Sequence, residues 1–329
     1  MTERQKEILQ IIVEDYIKTA KPVGSKSICE GLKLSSASVR SEMARLEDYG
    51  FLEKTHTSSG RVPSESGYRY YVDNLMKPKD MTGEDMLKLQ TIFKNNSLVL
   101  SDVIQKSIEI ISEITDYTAL SLGKKVLDNC LKQVEVVPIS DDTLVAIIIT
   151  DTGYVENKNI VIKEKILLSE VKKVVDVINK LLVGIPISEI IENLEFKVKP
   201  VISEYVEKHE TIYQAFYKVF NEFTGKNNMH QAGRINMLNQ PEYNTVDKVK
   251  ELFGKFDDES VIDSIEEDSS GIKIYIGKES KFNEDTAVIK THYKLGEEEG
   301  TIAIVGPKRM DYERVVSILE YIKQHIERE

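Results

Sequence analysis

Tryptophan is absent from these 329 residues, cysteine occurs twice and histidine five times. Cys29 and Cys130 lie about a hundred residues apart in helix-like contexts, which speaks against a disulfide framework or a metal knuckle and leaves both as small packed residues. His56, His209, His230, His292 and His325 each stand alone, with no partner at metal-ligand spacing. No metal or cofactor is expected. Long apolar runs are missing too: the longest, Leu144 to Ile149, is far short of the ~18–20 residues that cross a bilayer. The opening MTERQKEILQ places Glu3 and Glu7 where a secretory signal would be apolar, so a cytoplasmic protein is expected. No phosphate-binding loop, nucleophile elbow or convergent acid, base and nucleophile stands in the chain, which argues against an enzyme.

Positive charge is also in deficit, with a net −11 overall, but the deficit is uneven. Residues 1–79 hold 13 Lys+Arg against 11 Asp+Glu, and residues 80–329 hold 31 against 44. The head is the part of the chain that phosphate does not repel, and an acidic body discourages non-specific wrapping of nucleic acid.

What the head does contain is helical periodicity. Ile8, Leu9, Ile12, Val13, Tyr16 and Ile17 recur at three- and four-residue steps, giving an amphipathic helix that Lys21-Pro22-Val23-Gly24 ends. Ser25 opens a short second helix through Ile28, Cys29 and Leu32. Ser35-Ser36 caps a third, which runs to about Tyr49 and stops at Gly50. This is helix-turn-helix spacing. On the third helix Val39, Met43 and Leu46 face the core, and at about 100° per residue the opposite face is centred on Ser41, with Ala37, Ala44 and Asp48 beside it and Ser38, Arg40 and Arg45 flanking. A small, polar face suits a major groove, its arginines reaching guanine or phosphate, and Ser36 joins this candidate set. An ordinary solvated helix face fits that helix alone equally well.

The next stretch separates the two. Phe51 to Thr55 reads as a strand, His56-Thr57-Ser58-Ser59-Gly60-Arg61 as a hydroxyl-rich turn, and Val62 as the start of a returning strand. The result is a β-wing whose His56, Thr57, Ser58 and Ser59 suit backbone contact, with Arg61 the candidate to enter the minor groove. Pro63 and Ser64 then start a helix carrying Tyr68, Arg69, Tyr70 and Tyr71, too closely spaced to share one face. Tyr68 and Arg69 complete the candidate DNA contacts.

The segments PVGSKSI (Pro22 to Ile28), SSASVR (Ser35 to Arg40), EKTHTSSGRVPSESGYRYYVDNL (Glu53 to Leu75) and GPKRMDYERV (Gly306 to Val315) make the whole chain resemble the heat-inducible transcription repressors called HrcA. Ser41 stands where that family usually has Asn, and Lys308 where it usually has Thr.

Beyond the head, Lys77 to Asp80 reads as a short hinge and Met86 to Leu120 as one long helix or two. Gln133 to Pro138, Thr143 to Thr150 and Tyr154 to Ile162 look like a three-strand meander, with Asp141-Asp142 and Asp151-Thr152-Gly153 as turns. A helical block follows, then strands at Ile272 to Ile276, Thr286 to Tyr293 and Thr301 to Val305, and a closing helix from Met310 to Ile326. Gly306 to Tyr312 could offer backbone donors to an anion, but a structural turn with Arg309 or Asp311 paired at a domain boundary is the better reading.

The expected fold is α+β and multidomain: a winged helix-turn-helix at 1–79, a linker helix and the first half of one mixed sheet at 80–165, an inserted helical segment at 166–245, and the second half of the sheet at 246–329. The resemblance to HrcA implies that the sheet domain is GAF-like and that the insertion serves dimerisation. It further implies repression of chaperone operons through an inverted-repeat operator of the CIRCE type, with the chaperonin GroEL keeping the repressor active. A homodimer agrees with the limited reach of one recognition helix. Two rivals stand beside this reading: a winged-helix module that docks protein, and a small-molecule-gated regulator sensing through the GAF-like domain.

Overall fold

Helix α1 (Glu3–Thr19) opens with a reciprocal cap, Thr2 Oγ1 accepting from the Gln5 N–H and Gln5 Oε1 accepting from the Thr2 N–H, so that two orphan donors are satisfied at once. The computed structural model describes residues 1–32, 34–54, 60–77, 79–93, 100–123, 129–140, 143–161, 166–224, 229–266, 271–295 and 298–328. The apolar stripe of α1 buries Ile8, Leu9, Ile12 and Val13 completely. Helices α2 (Ser25–Leu32) and α3 (Ser36–Asp48) follow, then strands β1 (Leu52–Lys54) and β2 (Arg61–Pro63), which pair antiparallel with Lys54 opposite Arg61. Among the described residues, the helices and paired strands expected of the head are present.

Helix α4 (Glu65–Asn74) begins at Ser64, whose Oγ accepts from the Gly67 N–H and donates to the Gly50 carbonyl. Gly67 is required here: a Cβ would lie 2.1 Å from the Phe51 carbonyl oxygen, so only glycine lets α4 sit this close to the start of the wing. The stretch read as one long helix or two is α5 (Gly83–Phe93), α6 (Leu100–Thr115) and a strand, β3 (Thr118–Gly123).

The chain then forms two compact units, residues 1–122 with 230–329, and residues 123–229. The second unit contains β4 (Leu131–Pro138), β5 (Thr143–Thr150) and β6 (Val155–Val161), an antiparallel meander, followed by α7 (Leu168–Leu182), α8 (Ile190–Asn193), α9 (Lys199–Tyr205) and α10 (His209–Thr224). Its core joins Val134, Ala146 and Ile148 of the strands to Val174, Ile178, Phe216 and Phe220 of the helices. Asn179 locks α7 onto the edge of β4, its Oδ1 accepting from the Val134 N–H and its Nδ2 donating to the Val134 carbonyl, both at 2.8 Å. This corrects the sequence reading. The meander does not join the later strands in one sheet, and the insertion is 123–229 rather than 166–245, because the alternating face of β5 is covered by the helices that follow it.

The first unit resumes with β7 (Met229–Ala232), α11 (Val246–Phe256), α12 (Glu259–Glu266), β8 (Ile272–Ile276), β9 (Thr286–Leu295), β10 (Glu298–Pro307) and α13 (Tyr312–Ile326). Its sheet has the order β7-β3-β10-β9-β8, and α13 packs on β9. Strand β7 falls in a polar, Asn-rich stretch that carries no strand signal of its own. Among the described residues no helix is long and apolar enough to cross a membrane.

The expected boundary at residue 79 is not a packing boundary. Ile8, Val39, Leu46 and Tyr71 of the head share one continuous buried cluster with Ile289, Ile304, Val315 and Ile322. Nor is the segment after α4 free to hinge. Glu313, nearly buried, accepts from the Tyr71 hydroxyl at 3.0 Å, from the Lys77 N–H at 3.3 Å and from Lys79 Nζ at 2.5 Å. Ser317 Oγ holds the Lys79 carbonyl. Further along α13, Arg314 grips the buried Asp85 of α5 with two parallel bonds, Nε to Oδ2 at 3.0 Å and a terminal nitrogen to Oδ1 at 2.8 Å.

Burial alone would raise the carboxyls of Glu313 and Asp85. Hydrogen bonds outweigh it, from Lys79, Tyr71 and the Lys77 N–H on Glu313, and from Arg314 and Thr82 on Asp85, and hold both below their ordinary values. A carboxylate so depressed contributes stability that is fully present above its unfolded value and is lost as pH falls through its folded one. The melting temperature should therefore hold down to pH about 4.5, the ordinary value for Glu313, and fall below it. Glu313→Gln should lose on the order of 1–3 kcal/mol at neutral pH, as the Tyr71 hydroxyl and the Lys77 N–H lose a charged acceptor, and so melt lower, and should show a shallower acid decline. Differential scanning calorimetry from pH 3 to 8 checks both; an acid decline of unchanged depth in the variant would contradict the assignment.

Candidate nucleic-acid interface

Helix α3 is held from beneath by Val39, Met43 and Leu46, which are 0%, 4% and 0% exposed. The opposite face is open: Ala37, Ser38, Arg40, Ser41, Ala44, Arg45 and Asp48 are all exposed. Ser35 is the N-cap and accepts from the Ser38 N–H. Ser36 is half-buried and shares a 2.9 Å hydrogen bond with Ser25 Oγ, to which Arg40 Nε donates at 3.2 Å. Arg40 is thus anchored through Nε on an otherwise exposed side chain, and a guanidinium is the fork that recognises guanine or phosphate. Arg45 lies 3.6 Å from Glu42, whose other carboxylate oxygen accepts from Gln5 of α1.

The wing residues His56, Thr57, Ser58 and Ser59 lie outside the described residues. Arg61 does not occupy the position expected of it. Its side chain is 15% exposed and turns inward onto α3, Nε donating to Glu47 Oε2 at 2.8 Å, while Lys54 reaches Glu47 Oε1 at 3.0 Å. The physical reason is register. Arg61 faces Lys54 at the stem of the hairpin, not at its tip, and a carboxylate near the C-terminal end of α3 captures both cations.

Tyr68 and Arg69 are likewise corrected. Tyr68 is 2% exposed, its ring 6.1 Å from that of Tyr312, and its hydroxyl meets no hydrogen-bond partner among the described residues. Burial pushes that hydroxyl far above its ordinary range. Arg69 donates to the Ile274 carbonyl at 2.6 Å and to Glu279 at 2.5 Å, and pairs with Asp73 at 3.4 Å, so its guanidinium is spent on the sheet domain. The close spacing of the YRYY run reflects two packing faces of one helix, with the Tyr70 ring tilted against that of Phe51 at 5.2 Å and Tyr71 reaching Glu313. Gly306 to Val315 is the other half of this junction. Arg309 donates to Glu242 at 2.6 Å and Gln240 at 2.9 Å, Asp311 caps α13, and Tyr312 is fully buried.

Sequence reasoning took Ser25 only as the start of the second helix and passed over Glu47. A signal for Glu47 existed. Residues 54 and 61 flank a hairpin turn symmetrically, so they must face each other, and an acid on the preceding helix is their natural partner.

Residues 101–316 match the family described as HrcA protein C terminal domain. Over nearly the whole chain the sequence is 38% identical to the Heat-inducible transcription repressor HrcA of Bacillus pumilus (strain SAFR-032), covering 99% of this chain and 97% of that protein. The chain belongs to the HrcA family. It is also 40% identical to the Heat-inducible transcription repressor HrcA of Lysinibacillus sphaericus, over 98% of this chain and 96% of the relative. The crystal structure of a hypothetical protein at 2.2 Å superposes with a TM-score of 0.69 over 100% of this chain and 98% of that one. At 24% identity that likeness shows a shared mixed α+β fold.

Within this HrcA chain, removing a buried hydroxyl that has no partner leaves no group unsatisfied and is neutral or stabilising. Tyr68→Phe should leave the melting temperature unchanged or raise it, and should leave duplex binding unchanged. A drop of several degrees, or about 1 kcal/mol, would place a partner on that hydroxyl.

Proposed function

We propose that this HrcA chain is a homodimeric, cytoplasmic repressor that occupies an inverted-repeat operator of the CIRCE type upstream of chaperone operons, with the chaperonin GroEL maintaining its activity. The observation that carries the reading is the outer face of α3. Small and polar side chains centred on Ser41 allow deep entry into a major groove, and Arg40 is already oriented by Ser25 at 3.2 Å. The contacting set is then Ser36, Ala37, Ser38, Arg40, Ser41 and Arg45 on α3, with His56, Thr57, Ser58 and Ser59 on the wing. Two recognition helices on a twofold axis multiply the few base pairs that one can read.

Dimerisation through the inserted unit has support from its surface. Val137, Val155, Val161, Phe196 and Tyr205 of that unit are 42%, 52%, 60%, 72% and 67% exposed. The chaperonin partnership is proposed on the family resemblance alone.

Sensing of a small molecule finds little support in the sheet domain. A cleft of about 490 Å³ there is lined by Lys79, Asp85, Lys88, Glu113 and Arg314 among others, and these charges are engaged. Lys79 pairs with Glu313, Lys88 with Glu113 and Arg314 with Asp85.

Arg40→Ala should weaken operator binding and relax specificity by about 1–3 kcal/mol at one base pair. If the dimer makes ~6–10 phosphate contacts, wild-type affinity should fall by roughly 10³–10⁵ between about 50 and 200 mM salt. Gel-shift titration against the inverted repeat and a scrambled duplex decides both. Equal affinity for the two duplexes would sink the operator reading, and a flat salt profile would favour a head that docks protein.

A further inference from the structure

A carboxylate near the DNA-facing surface of a repressor works against binding, since phosphate repels it. Glu47 lies near the C-terminal end of α3, half-buried on the flank next to the wing rather than on the open face, and its surroundings indicate what it does there. Its side chain is 25% exposed, and its two oxygens are divided between the two strands of the wing. Oε1 takes Lys54 of β1 at 3.0 Å and Oε2 takes Arg61 of β2 at 2.8 Å. Those residues face each other in the hairpin register.

The same stem is clamped on its other side by the backbone. Val23 donates to the Arg61 carbonyl at 2.8 Å and accepts from the Arg61 N–H at 2.9 Å. Gly60 passes so near Pro22 that a Cβ would lie 2.8 Å from the proline side chain. The returning strand is therefore held by the α1–α2 connection through its main chain and by α3 through its side chain. The Glu47 carboxyl is held below its ordinary range; burial opposes this, and hydrogen bonds from Lys54 and Arg61 overcome it.

We propose that Glu47 is the positioning residue that sets the wing against the recognition helix, with Arg61 and Lys54 as the two arms of its brace. This rests on the reading that α3 and the wing face DNA together. A helix entering one groove and a wing entering the next must keep a fixed relation for both to engage. A salt-bridged stem supplies that relation before DNA arrives, so the ordering is not charged against binding. Arg61 then acts through the wing's direction rather than by touching a base.

The proposal makes a prediction opposite in sign to simple electrostatics. Glu47→Gln removes a negative charge beside DNA, so a merely repelling carboxylate would bind every duplex more tightly once neutralised. A brace predicts a split. In the full-length chain, affinity for the inverted-repeat duplex falls by about tenfold, on the scale of freeing one ordered residue, while affinity for a scrambled duplex stays level or rises. Hydrogen exchange read on the same variant should quicken at the amides of Lys54, Arg61 and Val62 and remain unchanged in α1 and α4. Equal tightening on both duplexes, or unchanged exchange at the stem, overturns the proposal.

Should Glu47→Gln loosen the whole head, with exchange rising in α1 as well, Lys54→Met replaces it as the test. Its side chain is 62% exposed, so only one arm of the brace is lost. The brace then requires a larger loss on the inverted repeat than on the scrambled duplex, and an equal loss overturns it. If wild type fails to distinguish the duplexes, the operator reading fails on its own, and stem exchange still judges Glu47.

Discussion

Helix α4 has to pack on two sides at once within one continuous buried cluster, and the rest of the first unit depends on how it does so. One side presses against the wing, where Gly67 lets its backbone meet the Phe51 carbonyl and the Tyr70 ring tilts against that of Phe51. The other presses against α13, where Tyr68 packs beside Tyr312 and Tyr71 donates to Glu313. Ten residues thereby fuse what reads as a separable DNA-binding head to the sheet that closes the chain. Tyrosine suits this role because its ring supplies large apolar burial while its hydroxyl reaches a charged acceptor at the rim. A leucine would pack equally well but leave Glu313 short of a donor.

Charge at the junction follows from the same packing. Isolated surface pairs contribute little, about 0–1 kcal/mol, so pairs such as Lys6 with Glu3 or Lys278 with Glu284 carry no argument. The pairs that matter are those with a buried partner. Asp85 with Arg314 and Glu313 with Lys79 and Tyr71 each tie segments far apart in sequence, and their geometry is specific; Arg309 with Glu242, partly covered on both sides, does the same. On the opposite side of the head the arginines divide by the same criterion. Arg40 is exposed and anchored through one nitrogen, whereas Arg61 is largely covered and pinned by a carboxylate.

Much of the head was legible from periodicity. The stripe Val39, Met43 and Leu46 identifies the buried side of α3, and its complement identifies the open one, because a single amphipathic helix obeys a fixed angular spacing. Hairpin residues around Gly60 were equally readable from turn chemistry. What failed were assignments that depend on partners distant in sequence. Tyr68 and Arg69 are polar residues beside a presumed DNA surface, and nothing local tells them that Tyr312, Ile274 and Glu279 lie underneath. The meander at 131–161 was recognised as three strands, yet strand periodicity shows which faces are buried without showing against what, so its assignment to the later sheet did not hold.

From the sequence alone came the order and type of most elements, the groove-compatible face of α3, the skew of charge toward a phosphate-tolerant head, and the family resemblance, since all of these are properties of neighbouring residues or of motif spelling. Tertiary structure decided which cores the elements share, that residues 123–229 form a unit of their own, and that the GYRYYVD and GPKRMDYERV motifs are two halves of one junction. It also decided that Arg61 serves a carboxylate on the helix before it. The physical reason is common to these cases: a side chain's role is set by which distant group completes its burial and its hydrogen bonds, and that pairing exists only once the chain has closed on itself.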